Sequence, residues 1–226
     1  MVRTFLRGLG KLLLMAALLS LCAALVHAYW RLPLNVHGDH RLFAATAGLA
    51  GGLLLFFWWQ PPTLFYVFGH ELTHFLAAKL CGRRTGRLRV GRQGGYVHVE
   101  NPNLFIVLAP YCVPLYTLLW AGLAVLVHAW FRSPWYGHVF FGGLGFTYAY
   151  HLVLTVLAIS AGQQDLRLHG RFFSLLVILA ANLILLYFTL AAFSNQLTCG
   201  IVYLFEAWAA QWRAVTALAR AFSTRI

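Results

Sequence analysis

The stretch TLFYVFGHELTHFLAAKLC, residues Thr63–Cys81, is an apolar run of membrane-spanning length that carries two histidines and a glutamate near its middle. Residues four apart on a helix point to the same face, so His70 and His74 can both present a ring nitrogen to one metal ion. Glu71, beside His70, can reach a water bound to that ion. Ionisable groups at this depth are rare and usually functional. The spacing therefore predicts a zinc site rather than two packed core histidines.

A catalytic zinc site takes three protein ligands and leaves a fourth position to water. The chain has only five acidic residues, which shortens the list of further ligands. Asp165 follows a break in the apolar pattern at Ser160–Gly162, where a carboxylate can dip into the membrane between helices. His151, inside the fifth apolar run, and Glu100, at the end of a basic loop, are the alternatives. We predict Asp165 as the third ligand, with His151 and Glu100 left open.

The composition is that of an integral membrane protein. Of the 226 residues, 61% are hydrophobic, and 17 basic residues against five acidic ones give a net charge of +12. The arginines lie between apolar runs, which indicates attraction to anionic lipid head groups, so the lipid bilayer and not nucleic acid is the expected partner. The four cysteines are scattered without a C-x-x-C pair, which argues against a disulfide framework or a cysteine zinc site.

Six apolar runs reach the length of a transmembrane helix. They cover residues 9–29, 42–59, 63–81, 104–131, 136–160 and 172–193. The first also resembles a signal peptide, but its length favours a retained helix. We expect an all-α polytopic membrane protein with about six transmembrane helices.

Two further segments have a different pattern. Aliphatic residues alternate with arginines before a glycine-rich turn at Gly91–Gly95, and with Tyr96 and His98 after it. This pattern predicts a short membrane-associated β-hairpin within residues 82–103, with a plain basic loop as the alternative. In residues 201–222 apolar side chains recur on one helical face, which predicts a C-terminal amphipathic helix in the membrane interface.

The segment GHELTHFLAAKLCG, the glycine-rich GRQGGYV after it and an aspartate two apolar runs later resemble the site-2 protease family of intramembrane zinc metalloproteases. The resemblance covers roughly residues 63–193. It implies that His70, His74 and Asp165 bind Zn²⁺ and that Glu71 is the catalytic base. The aspartate lies in a Q-Q-D-L setting rather than the family's L-D-G or N-P-D-G, so the chain would be a divergent member.

We expect three parts: two N-terminal transmembrane helices in 1–61, a core in 62–193 that the resemblance makes metalloprotease-like, and the interfacial helix in 194–226. The family's β segment corresponds to about 86–100, where an unwound substrate can pair with an edge strand. The expected function is hydrolysis of peptide bonds in or near transmembrane segments, with zinc-activated water and Glu71 as general base. The expected partner is a membrane-protein or peptide substrate in a bacterial inner membrane.

Two other classes of protein compete with the protease. One is a non-catalytic protease-like membrane scaffold or chaperone, which would keep the zinc for structure or would have lost it. The other is a di-iron lipid hydroxylase or desaturase, because His70 and His74 also form H-x-x-x-H and His37 and His40 form H-x-x-H. Such enzymes use adjacent histidine pairs, and the sequence contains no H-H dipeptide.

Overall fold

The computed structural model describes residues 2–34, 38–59, 63–91, 94–130 and 133–223. This part of the chain is mostly helical, with one small hairpin, as the sequence predicts. His37 and the turn residues Arg92 and Gln93 lie outside the described residues. In chain order the elements are α1 (Val2–Tyr29), α2 (His40–Trp58), α3 (Thr63–Leu80), β1 (Arg89–Gly91), β2 (Gly94–Tyr96), α4 (Leu104–Cys112), α5 (Leu115–Trp130), α6 (Tyr136–Ser160), α7 (Asp165–Leu168), α8 (Arg171–Phe193) and α9 (Leu197–Ser223).

Several helices are suited to a membrane. Within the described ranges, α1, α2, α6 and α8 are long and apolar enough to cross one, and α4 with α5 adds a fifth if the bent pair forms one span. Helix α3 is not in this set, because its histidines, Glu71 and Lys79 interrupt the apolar character that the other helices share. The structure therefore supports four to five spans by length and composition.

The fourth predicted span differs from the continuous helix expected over 104–131. It is divided into α4 and α5, whose axes are bent by 65°. Pro110 lies inside α4 and removes a backbone donor, and Pro114 disfavours helical geometry at the residue before it. Val113 accordingly adopts an extended conformation and ends α4. The break leaves α4 as a short separate helix that packs against α3.

The hairpin rests on the helix that carries the histidine motif. Strands β1 and β2 pair antiparallel, and both contact α3. Gly95 is the point of closest approach, since a Cβ there would lie 2.6 Å from Val67 Cγ1 and 2.9 Å from Glu71 Cγ. A residue with a side chain cannot come this near, so glycine lets the hairpin lie directly against the motif.

Helices α2 and α6 pack with their backbones in contact. A Cβ on Gly145 would overlap the carbonyl oxygen of Ala45, and one on Gly48 would overlap that of Gly142. Small residues at a helix interface are typical of membrane proteins, where close packing replaces the hydrophobic effect as the source of association.

The chain forms two compact units, one of Met1–Asn35 with Leu175–Ile226 and the other of Val36–Ser174. In the first unit Ala207 of α9 packs into a buried cluster with α1, while Phe205 and Trp212 of the predicted apolar stripe are exposed. The interfacial location of α9 and the three-part division remain predictions, and the boundary at 61/62 falls outside the described residues. The predicted metal ligands all lie in the second unit.

Candidate metal centre

His74 is held by a hydrogen bond between α3 and α4. Its Nδ1 lies 2.8 Å from the backbone carbonyl oxygen of Ile106. A carbonyl only accepts, so Nδ1 carries the proton and donates it. In the neutral ring the lone pair is then on Nε2, which is the form that binds a metal, and the ring orientation is fixed at the same time.

Asp165 is brought to the histidines by a sharp turn after α6. The helix ends at Ser160, Gly162 adopts a positive φ of 68°, and Asp165 is the first residue of α7. Its Oδ2 lies 3.3 Å from Nε2 of His70 and 3.3 Å from Nε2 of His74. The structure thus brings together three residues that are up to 95 positions apart in the sequence.

The donor set fits a tetrahedral zinc ion. Bonds of about 2.0–2.1 Å in tetrahedral geometry place ligand atoms about 3.3 Å apart, which matches both measured nitrogen–oxygen separations. The three candidate ligand atoms all lie within 4.8 Å of one another. Across the described residues, His70, His74 and Asp165 are the one cluster of three or more such side chains with this geometry. Two imidazoles and a carboxylate leave one tetrahedral position free.

The surroundings of Asp165 favour its ionised form. Burial alone would raise the pKa of its carboxyl, but the His70 and His74 imidazoles, when protonated in the absence of a metal, outweigh burial and hold the pKa well below its usual range. The phenol of Tyr111 also donates a hydrogen bond to Asp165 Oδ2, at 3.0 Å. The group is therefore a carboxylate in surroundings that already favour negative charge.

Glu71 lines the same cleft as the three candidate ligands. The cleft has a volume of about 570 Å³ and is lined on its other side by residues 95–99 and by Gln163 and Gln164. This size is within the range of pockets that hold small ligands. The backbone of Val97 lies beside the Glu71 carboxylate in this cleft. The cleft therefore combines a candidate base, a candidate metal centre and main-chain groups of the hairpin.

The two alternative ligands lie elsewhere. His151 is buried in α6 and lines a separate cavity of about 30 Å³, which also touches His70 and Thr155. Glu100 is exposed, and its backbone N–H donates to the carbonyl oxygen of Arg84 at 3.1 Å. Neither side chain joins the cluster that the described residues form around His70 and His74.

The sequence reasoning did not find two groups that contact the cluster, the carbonyl of Ile106 and the phenol of Tyr111. A main-chain carbonyl leaves no mark in a sequence. Tyr111 does leave one, because it stands inside an apolar run in the segment PYCVP, between Pro110 and Pro114. A polar ring tip beside two helix breakers needs a hydrogen-bond partner when it is buried.

Comparisons of the chain with protein-family models, with curated proteins and with solved structures gave no match. The class of protein consequently depends on the fold and the site. These are a helical protein with four to five candidate membrane spans, and a His–His–Asp cluster in a cleft beside a glutamate and a hairpin.

Proposed function

We propose that this protein is an intramembrane zinc metalloendopeptidase of the site-2 protease type, which hydrolyses peptide bonds in or near transmembrane segments of membrane proteins. One observation carries the proposal: His70, His74, Asp165 and Glu71 line one cleft, with the carboxylate of Asp165 at ligand–ligand distance from both imidazoles. We further propose that α3 lies in the membrane with the other spans, which would give six crossings of a bacterial inner membrane.

A bound zinc ion would act as a Lewis acid and lower the pKa of its water to about 7. His70, His74 and Asp165 would hold it, and Glu71 would accept the proton of the attacking water and pass it to the departing amine. The His74 to Ile106 hydrogen bond supports this role, because it keeps the proton on the nitrogen that faces away from the cluster.

The position of the hairpin supports the proposal that the substrate is bound in an unwound form. A transmembrane helix satisfies its own backbone hydrogen bonds, and unwinding it in lipid would leave polar groups unpaired at a cost of several kcal/mol each. Residues 95–99 line the cleft and place extended main chain beside Glu71. Pairing of the substrate with this segment would replace the lost hydrogen bonds.

The test uses purified protein in detergent and synthetic transmembrane peptides, with products identified by mass spectrometry. We expect about one zinc per chain in the wild type and in Glu71→Gln, and cleavage reduced by about 10²–10⁴-fold in Glu71→Gln, the usual contribution of a general base. Glu206→Gln is the matched control, since this exposed carboxylate pairs with Arg31 in the other unit and should leave cleavage unchanged.

Retained cleavage in Glu71→Gln would refute the proposed role of this residue. A folded wild type that holds zinc but cuts none of the peptides would favour the non-catalytic scaffold. Iron in place of zinc, at two ions per chain, would favour the lipid hydroxylase.

A further inference from the structure

Tyr111 lies beside the cluster of candidate metal ligands formed by His70, His74 and Asp165. It is 0% exposed, and its phenol donates to Oδ2 of Asp165 at 3.0 Å. The same oxygen is the one that lies 3.3 Å from Nε2 of His70 and of His74. We propose that Tyr111 is a positioning residue, whose O–H holds the Asp165 carboxylate in the orientation that completes the metal site. This inference rests on the proposed zinc site and deepens it.

Helix α4 contacts all three candidate ligands. Near its start the carbonyl of Ile106 accepts the hydrogen bond of His74. Near its end the Tyr111 ring lies edge-on to His70, with centroids 5.4 Å apart at 87°, and the Tyr111 hydroxyl reaches Asp165. The break before α5 makes this possible, because it frees α4 to pack along α3 as a separate helix.

The carboxylate needs such support because of where it is located. Asp165 begins a helix of only four residues, which follows a glycine turn and is too short to hold a side chain rigidly on its own. A carboxylate that ligates a metal through one oxygen is normally oriented by further hydrogen bonds. Tyr111 supplies one from a different helix, and the donated proton also offsets part of the negative charge that would build up on Oδ2.

A buried tyrosine also needs a partner for purely structural reasons, and the two roles differ in what they change. A structural hydrogen bond affects the stability of the fold. A positioning hydrogen bond affects the affinity for the metal and the symmetry of its surroundings. Removing a group that orients a metal ligand typically lowers metal affinity by about 10–100-fold.

The experiment compares Tyr111→Phe with Tyr187→Phe in full-length protein in detergent. Tyr187 is a matched control, since it is 1% exposed and its hydroxyl donates to the carbonyl of Gly200 at 2.7 Å in the other unit. Zinc affinity is measured by competition with a chromophoric chelator, and ligand geometry by the visible absorption of the Co²⁺ form. We expect about 10–100-fold weaker zinc binding and an altered cobalt spectrum for Tyr111→Phe, and neither change for Tyr187→Phe.

A double-mutant cycle tests whether the effect passes through Asp165. In an Asp165→Ala background, where no side-chain oxygen can accept the Tyr111 hydrogen bond, Tyr111→Phe should cause little further loss of the residual zinc affinity. Should Tyr111→Phe fail to fold, 4-fluorophenylalanine at this position fills the space of the hydroxyl without donating, and the same loss is expected. An aniline ring there restores a donor and should restore affinity.

Wild-type zinc affinity and an unchanged cobalt spectrum in Tyr111→Phe would overturn the inference and leave the proposed protease intact. Additive losses in the cycle would also overturn it. Failure of the wild type itself to bind zinc would instead refute the metal centre on which the proposal rests.

Discussion

Replacing Gly95 with alanine should move the hairpin away from Glu71, the proposed general base, without altering a candidate metal ligand. The new Cβ would lie 2.6 Å from Val67 Cγ1, 2.7 Å from the Arg89 carbonyl oxygen and 2.9 Å from Glu71 Cγ. Carbon atoms in ordinary contact are about 3.5–4.0 Å apart, so β2 must retreat from α3 by about 1 Å. Misplacement of this size can cost about 10²-fold in rate.

We therefore expect Gly95→Ala to bind zinc with wild-type affinity and to cleave transmembrane peptides about 10²-fold more slowly, since the Val97 contact with Glu71 is disturbed. Cleavage is followed by mass spectrometry, and hydrogen exchange of the hairpin amides reports the displacement independently. Gly122→Ala is the control, because nothing lies within 4 Å of the Cβ it would add. Unchanged cleavage in Gly95→Ala, with faster exchange in the hairpin, would refute the idea that the hairpin organises the cleft.

Two further predictions concern the metal. Asp165→Ala should abolish stoichiometric zinc binding, measured by elemental analysis after gel filtration. His151→Gln should retain zinc, because His151 lies in a separate cavity. The reverse pattern would make His151 the third ligand. Zinc at about one hundred times its Kd should stabilise the fold by about 2.7 kcal/mol, so a chelator should lower the Tm of the wild type. If the chelator lowers the Tm of His74→Ala by the same amount, it acts at another site.

Local spacing made part of the site predictable. His70, Glu71 and His74 share one helical turn, so their relation follows from helix geometry alone. The apolar runs likewise predicted α1, α2, α3, α6 and α8, and the alternation around Gly91–Gly95 predicted the hairpin. These features depend on residues that are neighbours in the chain, which is why one sequence was enough to find them.

The remaining features depend on contacts between distant segments. The scarcity of carboxylates made Asp165 a candidate, but only the turn at Gly162 shows that it reaches the histidines. The division of residues 104–131 was readable from Pro110 and Pro114, yet the apolar composition of the run outweighed them in the prediction. Tyr111 could not be assigned a partner, because its hydroxyl spans from α4 to α7.

The contact between α2 and α6 also constrains where the chain can turn. Gly145 lies against the Ala45 carbonyl and Gly48 lies against that of Gly142, so the two backbones are in direct contact at both points. A slip of one residue along either helix would bring a side chain of one helix against a backbone carbonyl of the other. The two helices can therefore pack closely in only one relative register. The level at which α6 ends, and with it the depth at which Asp165 emerges, is therefore fixed by a steric match near the middle of the helix, far from the residues that would do the chemistry.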